Sequence, residues 1–219
     1  GDAELRDLLD PEALEDTERK LQQLEDGYKA RTADGIHDLL LRIGDLTLDE
    51  ILERSSFAGA ADAVTALARD RRIVLLPIGG QQRYVAVEDV ARYRDALGAP
   101  LPLGLPESLL EPVRDAAGDL VMRFARSHGP FTAAQVSVRY GLGVAVVTSV
   151  LQRLTEAVRL IEGEFRPGGT EREWVNANVL RGVLRQYDMC VRFAGDEFVV
   201  VISDCGRDTA ETKRLELQE

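Results

Sequence analysis

Apolar residues along the chain recur first at helical spacing and then in short alternating runs, and this succession occurs twice. In the first passage, Ile36–Ile43 predicts a helix. Gly44-Asp45-Leu46-Thr47 breaks it, and Thr47 caps a second short helix over Leu48–Arg54. A third helix is expected over Ala60–Asp70. Strands are expected at 72–78 and 83–87 around the Gly79-Gly80 turn, followed by a helix over Val90–Leu97. The second passage predicts helices over Leu120–Ser127, Ala133–Tyr140 and Val144–Ala157. Strands at 159–165 and 173–175 flank a Pro167-Gly168-Gly169 turn, and Asn176 caps a helix to about Gln186.

The two capping threonines, Thr47 and Thr132, are 85 residues apart, and the hairpins end 88 apart at Val87 and Val175. A period of this size describes a duplicated domain rather than a solenoid repeat. Between the copies, Pro100, Pro102 and Pro106 predict an extended, stiff linker. Ahead of them, Asp2–Ala30 reads as one leading helix, with Asp10-Pro11 as an internal start signal and Gly27 as its end. The expected organisation is a leading helix (1–30), a first unit (31–98), a linker (99–114), a second unit (115–186) and a C-terminal hairpin with helix (187–219).

Three helices closed by a hairpin are the winged helix, so the expected fold is α+β and helix-rich, with two winged helices in tandem. The third helix fits a major groove and the hairpin can carry arginines to phosphates. On that basis Arg153, Arg166, Arg172, Arg69, Arg71 and Arg72 are the candidate DNA-contacting residues. The third helix of the second copy is mostly apolar, with Thr148, Ser149, Gln152 and Arg153 as its polar positions. Packing between domains is therefore the competing role for each module.

Composition sharpens this. The net charge of −11 sits at the ends: residues 1–26 hold ten acids and three bases, and 187–219 hold eight and four. Residues 27–186 hold the remaining twenty of each, so the presumed DNA-facing part is neutral. Aromatic residues make up 5%, so the core must be Leu, Val, Ile and Ala. No apolar run reaches bilayer length and no signal region opens the chain, so a cytoplasmic protein is expected. The chain opens on Gly1 rather than Met, as a trimmed or tagged end would. Cys190 and Cys205 are expected to be reduced core thiols, and with His37 and His128 far away they make no zinc site. Both histidines read as surface or helix-end residues, and Trp174 as a core anchor. The Gly141-Leu142-Gly143 turn does not complete a nucleotide-binding loop.

Several ordered motifs resemble one family. They are Gly35-Ile36-His37-Asp38-Leu39-Leu40, Gly44-Asp45-Leu46-Thr47, Ser127-His128-Gly129-Pro130-Phe131-Thr132, Tyr140-Gly141-Leu142-Gly143 and Glu162–Gly169 with Glu173-Trp174. Over residues 3–186 the chain resembles the C-terminal winged-helix region of Lhr (large helicase-related) proteins. The resemblance implies a bacterial, DNA-repair setting, with DNA and a parent helicase core as partners. Long members of that family are ATP-dependent DNA helicases, some with uracil-DNA glycosylase activity. None of the three lysines follows a glycine, so the ATPase loop is absent from this sequence. No glycosylase residue can be placed either. A non-catalytic fragment without cofactor or metal is expected.

Residues 187–202 instead resemble the signature hairpin of GGDEF diguanylate cyclases, and 208–215 the helix after it. That resemblance would give Gly195 a role in nucleotide approach, and Asp196 and Glu197 roles at metal and ribose. Ala194 stands where the family has its first glycine, and the roughly hundred residues of the cyclase's upstream half are missing. The hairpin is thus expected to be vestigial, the tail of a chimera. It is expected to dock on the second unit or to pair between two chains as a homodimer.

Overall fold

The computed structural model describes residues 9, 11–166, 171–184, 189–194 and 197–201. A leading helix α1 (Pro11–Leu21) precedes the first winged helix. That unit consists of α2 (Ala33–Ile43), α3 (Leu48–Glu53), α4 (Ala60–Arg69), β1 (Ile73–Ile78) and β2 (Gln81–Ala86), followed by α5 (Val90–Leu97). The second contains α6 (Ala116–Ser127), β3 (Phe131–Thr132), α7 (Ala133–Tyr140), α8 (Val144–Glu156), β4 (Leu160–Gly163) and β5 (Glu173–Asn176), followed by α9 (Ala177–Leu184). A hairpin, β6 (Met189–Ala194) and β7 (Glu197–Val201), closes the series. The fold is the expected helix-rich α+β arrangement of winged helices.

The duplication reaches into the capping chemistry. The second helix of each repeat opens with a reciprocal capping box, Thr47 with Glu50 and Thr132 with Gln135. Each first helix is capped by a side chain accepting from a glycine N–H, Thr32 from Gly35 and Asp115 from Gly118. Each third helix ends with a non-glycine residue in the left-handed region, Arg71 at φ 57° and Val158 at φ 55°. The following N–H groups, of Arg72 and Arg159, turn back to the carbonyls of Leu67 and Leu154. Each return strand also gains a further partner: in the first repeat Leu46 makes an isolated bridge to Tyr84, and in the second the short strand at Phe131 pairs with Trp174.

Three expectations need correction. The leading helix stops at Leu21, not Gly27, because Gln23 turns left-handed at φ 54° and Leu24 N–H bonds back to Arg19. Helix α6 begins at Ala116, a turn before Leu120, because Asp115 supplies the cap. The proline-rich segment does not act as a spacer. Ala99 is buried, and Leu101, Leu105 and Leu110 lean on a core shared by both repeats. That core joins Leu76, Ile78, Val85 and Tyr93 of the first repeat to Leu120, Val121, Val136 and Leu151 of the second. The interior of the first repeat is separate, built from Ile36, Leu39, Leu40, Ile51, Val64 and Leu67. A third cluster places Leu9, Ala13 and Leu14 against Phe165, Val175, Leu180 and Val183. The leading helix therefore belongs to the second repeat.

The repeats are also locked by charge. Asp45, 2% exposed, lies 2.8 Å from Arg139 Nε and accepts a 3.2 Å bond from the Tyr93 hydroxyl. Glu50, already in its capping box, accepts from Arg83 at 2.7 Å and from Arg139 at 2.9 Å. Arg139 also donates to the Asp45 carbonyl. Burial raises the Glu50 pKa, but the Arg139 charge, the Thr47 N–H and Arg83 outweigh it and hold the carboxyl below its usual range. Beside this group, Arg123 makes a forked pair with Asp89, which Arg92 also holds. The tip of the first wing completes the seam. At Gly79, φ 57°, an added Cβ would overlap the Arg139 carbonyl and sit 2.9 Å from that of Val138. Gly79→Ala is therefore expected to cost at least about 2 kcal/mol in chemical denaturation. Gly80→Ala faces open space at φ 77° and should cost only about 1 kcal/mol, from backbone strain. Arg139→Ala, which leaves Asp45 buried beside Arg83 alone, should cost about 3–5 kcal/mol by the same measurement.

Candidate nucleic-acid interface

Of the surfaces a winged helix offers to DNA, the first wing is already occupied by α7. The third helix of that repeat, α4, exposes Ala61, Asp62, Thr65 and Arg69, a face with one charge of each sign. The three arginines predicted beside it are each engaged. Arg69 pairs with Asp70 at 3.0 Å. Arg71 donates to the Gly104 carbonyl at 2.7 Å, fastening the proline-rich segment. Arg72 donates to Asp34 at 2.5 Å and lies 3.3 Å from His37 Nδ1. His37 is buried rather than superficial, with Nε2 3.1 Å from Glu88. Because a carboxylate only accepts, this geometry fits the Nε2–H tautomer, with Nδ1 receiving Arg72.

In the second repeat, α8 buries Val147, Leu151 and Leu154 and exposes Ala145, Ser149, Gln152, Arg153 and Glu156. Val144 and Val146 at its start are each 52% exposed. This presents neutral and apolar groups where a groove-reading helix would carry donors. Arg153 forks onto Asp115 at 2.7 and 2.8 Å. Arg166 pairs with the buried Glu173 at 2.7 Å, and Arg172, 74% exposed, with Glu162 at 3.0 Å. The six predicted arginines thus fall into one set on each repeat, and every one has a partner. Sequence patterning identified their elements but not their partners, since ion pairing between distant segments leaves no local signal. It missed Arg114 and Arg159, which are exposed and have no ion-pair partner among the described residues. Trp174 is the expected core anchor, 3% exposed.

At the junction of the leading helix with both repeats, His128 ends α6 as expected, but tucked in. Its ring stacks on Phe124 with centroids 3.7 Å apart, and Nδ1 lies 2.8 Å from the Phe124 carbonyl. Gln22 donates to the Ser127 carbonyl at 2.5 Å and accepts from Arg54 of the first repeat at 2.8 Å. Burial outweighs the Phe124 bond and brings the His128 pKa down to about 4.

Of the cyclase-like positions, Gly195 and Asp196 lie outside the described residues, as do Cys205 and the 208–215 segment. Glu197 opens β7 and Cys190 lies on β6, in an antiparallel hairpin as expected. Among the described residues, no group of three His, Cys, Asp or Glu is placed to hold a metal ion. No described helix is long and apolar enough to cross a membrane.

The sequence profile of the large helicase-related protein winged-helix domain matches residues 7–112. This stretch belongs to the Lhr winged-helix family. Over 186 residues, 85% of its length, the chain is 39% identical to an Lhr helicase/probable uracil glycosylase of Mycolicibacterium smegmatis. Over 160 residues, 71% of its length, it is 36% identical to the Lhr helicase/uracil glycosylase of Escherichia coli. These matches span 12% and 10% of the two Lhr relatives, so the chain corresponds to about a tenth of either. They support the Lhr resemblance and give none to the diguanylate-cyclase one.

The Lhr-like Ser127-His128 corner carries a pH prediction. The unfolded histidine takes its proton near pH 6.5, whereas the folded one resists it to about 4. The fold should thus lose stability as pH falls from 6.5 towards 4, by up to about 3 kcal/mol. His128→Gln should remove that component, so the difference between the two denaturation profiles should shrink below pH 6.5. Parallel profiles would refute the assignment.

Proposed function

We propose that this chain is a non-catalytic, nucleic-acid-engaging accessory module of an ATP-dependent DNA helicase that works in cytoplasmic DNA repair in bacteria. Its partners are DNA and the helicase core of the parent protein, and the second winged helix is the side turned to DNA. The observation that carries this reading is the unequal use of the two wings. The first wing has its tip pressed on the neighbouring repeat. The second holds its arginines, Arg166 and Arg172, at the surface, 42% and 74% exposed. Arg172 is held by Glu162 at a partly solvated surface, where an ion pair contributes about 0–1 kcal/mol, whereas Arg166 leans on the buried Glu173, which the Phe165 N–H also holds. A phosphate can replace Glu162 on Arg172 at little cost, and can approach the half-exposed Arg166 from solvent while its pair with Glu173 stays in place.

A second reading is a winged-helix scaffold without DNA binding, with homodimer formation through the C-terminal hairpin as its oligomeric form. The neutral face of α8 and the rigid seam between the repeats favour it. Cyclic-dinucleotide synthesis has no such support.

Fluorescence anisotropy with labelled single-stranded and duplex DNA at two salt concentrations separates the two. Under the first reading, binding weakens steeply with salt, and Arg166→Ala with Arg172→Ala lowers both affinity and the salt slope. Absence of binding at micromolar protein leaves the scaffold.

A further inference from the structure

The two repeats close their three-helix cores by the same device, an arginine from the end of the third helix reaching an acid at the start of the first. They differ in which arginine does it. In the first repeat the work falls to Arg72, the residue after the left-handed cap, bound to Asp34. The corresponding residue of the second repeat is Arg159, which also follows a left-handed cap and also precedes the first wing strand. Here the acid, Asp115, is already taken from two sides by Arg153. Arg159 is left exposed without an ion-pair partner among the described residues, near enough to Asp115 for its charge to help hold that carboxyl below its usual range. Arg114 adds a third guanidinium next to Asp115 in the chain, also exposed and unpaired among the described residues. Glu111 and Glu156, three residues before Arg114 and Arg159, are exposed and make no ion pair with these arginines, and Glu162, three residues after Arg159, is paired with Arg172.

The residue that presents Arg159 is itself unusual. Val158 is 68% exposed and β-branched, yet sits at φ 55°, a conformation that favours glycine. Strain of this kind persists where the surrounding structure enforces it, and it collects at functional positions.

We infer that Arg159, at the root of the second wing, and Arg114, just before the first helix of that repeat, form a phosphate-contact point around Asp115, and that Asp115 restrains it by occupying Arg153. The inference rests on the DNA-engaging reading and places a contact that the wing arginines alone would not supply. The ligand is the nucleic-acid backbone, recognised through charge and paired N–H donors, so the contact is indifferent to base sequence.

The test uses the whole chain, a fluorescein-labelled 20-nucleotide single strand and the matching duplex, titrated at several salt concentrations. Arg159→Ala and Arg114→Ala should each weaken binding about threefold and lower the salt slope by about one, without moving the melting temperature. Asp115→Asn keeps a capping side chain and frees Arg153. It should tighten binding about threefold although it removes an ion pair. A purely structural Asp115–Arg153 tie predicts instead a lower melting temperature and unchanged affinity. If the unaltered protein binds and the arginine variants bind equally well, the contact point is overturned while the DNA-engaging reading stands. If the unaltered protein does not bind, that reading fails and takes the inference with it.

Discussion

The arrangement of this molecule depends on one arginine crossing from the second repeat into the first. Arg139 meets Asp45 and Glu50 at the point where the first repeat turns from its first helix to its second. Taking these charges out of water is costly, and only a nearly complete set of partners makes it tolerable. The partners come from five places: the capping threonine, Arg83 on the first wing, Tyr93 on α5, and the two acids. None of them can move far without leaving a charge stranded. The pairing fixes the relation between the repeats, and the relation fixes which surfaces stay open.

What remains open is asymmetric. Duplication supplied two wings and two third helices, but the first wing became part of the joint. Its Gly79 now serves contact with a helix, while Gly80 still faces open space. Two arginines of the first repeat hold it together: Arg72 closes the three-helix core and Arg71 ties down the proline-rich segment. The second repeat holds its wing arginines, Arg166 and Arg172, at the surface. A neutral middle region is what such a division produces, since most of its charges are matched within the fold.

Much of this was legible in the sequence because it is local. Helix periodicity, the Gly79-Gly80 turn, the Asn176 cap and both capping threonines are written within a few residues, and the elements fall where they predict. The 85-residue offset announced the duplication. The joint was not legible, because nothing near Arg139 distinguishes it from Arg126, which is exposed. Likewise His37 carries no mark of burial, since its partners Arg72 and Glu88 lie 35 and 51 residues away. The linker misled for a related reason. Prolines set its extended backbone, but the leucines between them decide that it lies along the core.

The leading helix has a consequence for how the chain is made. Leu9, Ala13 and Leu14 are buried against Ile161, Phe165, Val175, Leu180 and Val183, with the whole first repeat synthesised in between. The leading helix leaves the ribosome ahead of both repeats and waits on the order of ten seconds, at ordinary rates of synthesis, for the residues it packs against. Until then its leucines have no core to join, and the strongly acidic stretch around them keeps the waiting segment solvated. The first repeat, with an interior of its own, can close meanwhile. The second cannot be finished until the leading helix meets residues 161–183, so its completion reports that both repeats have been made.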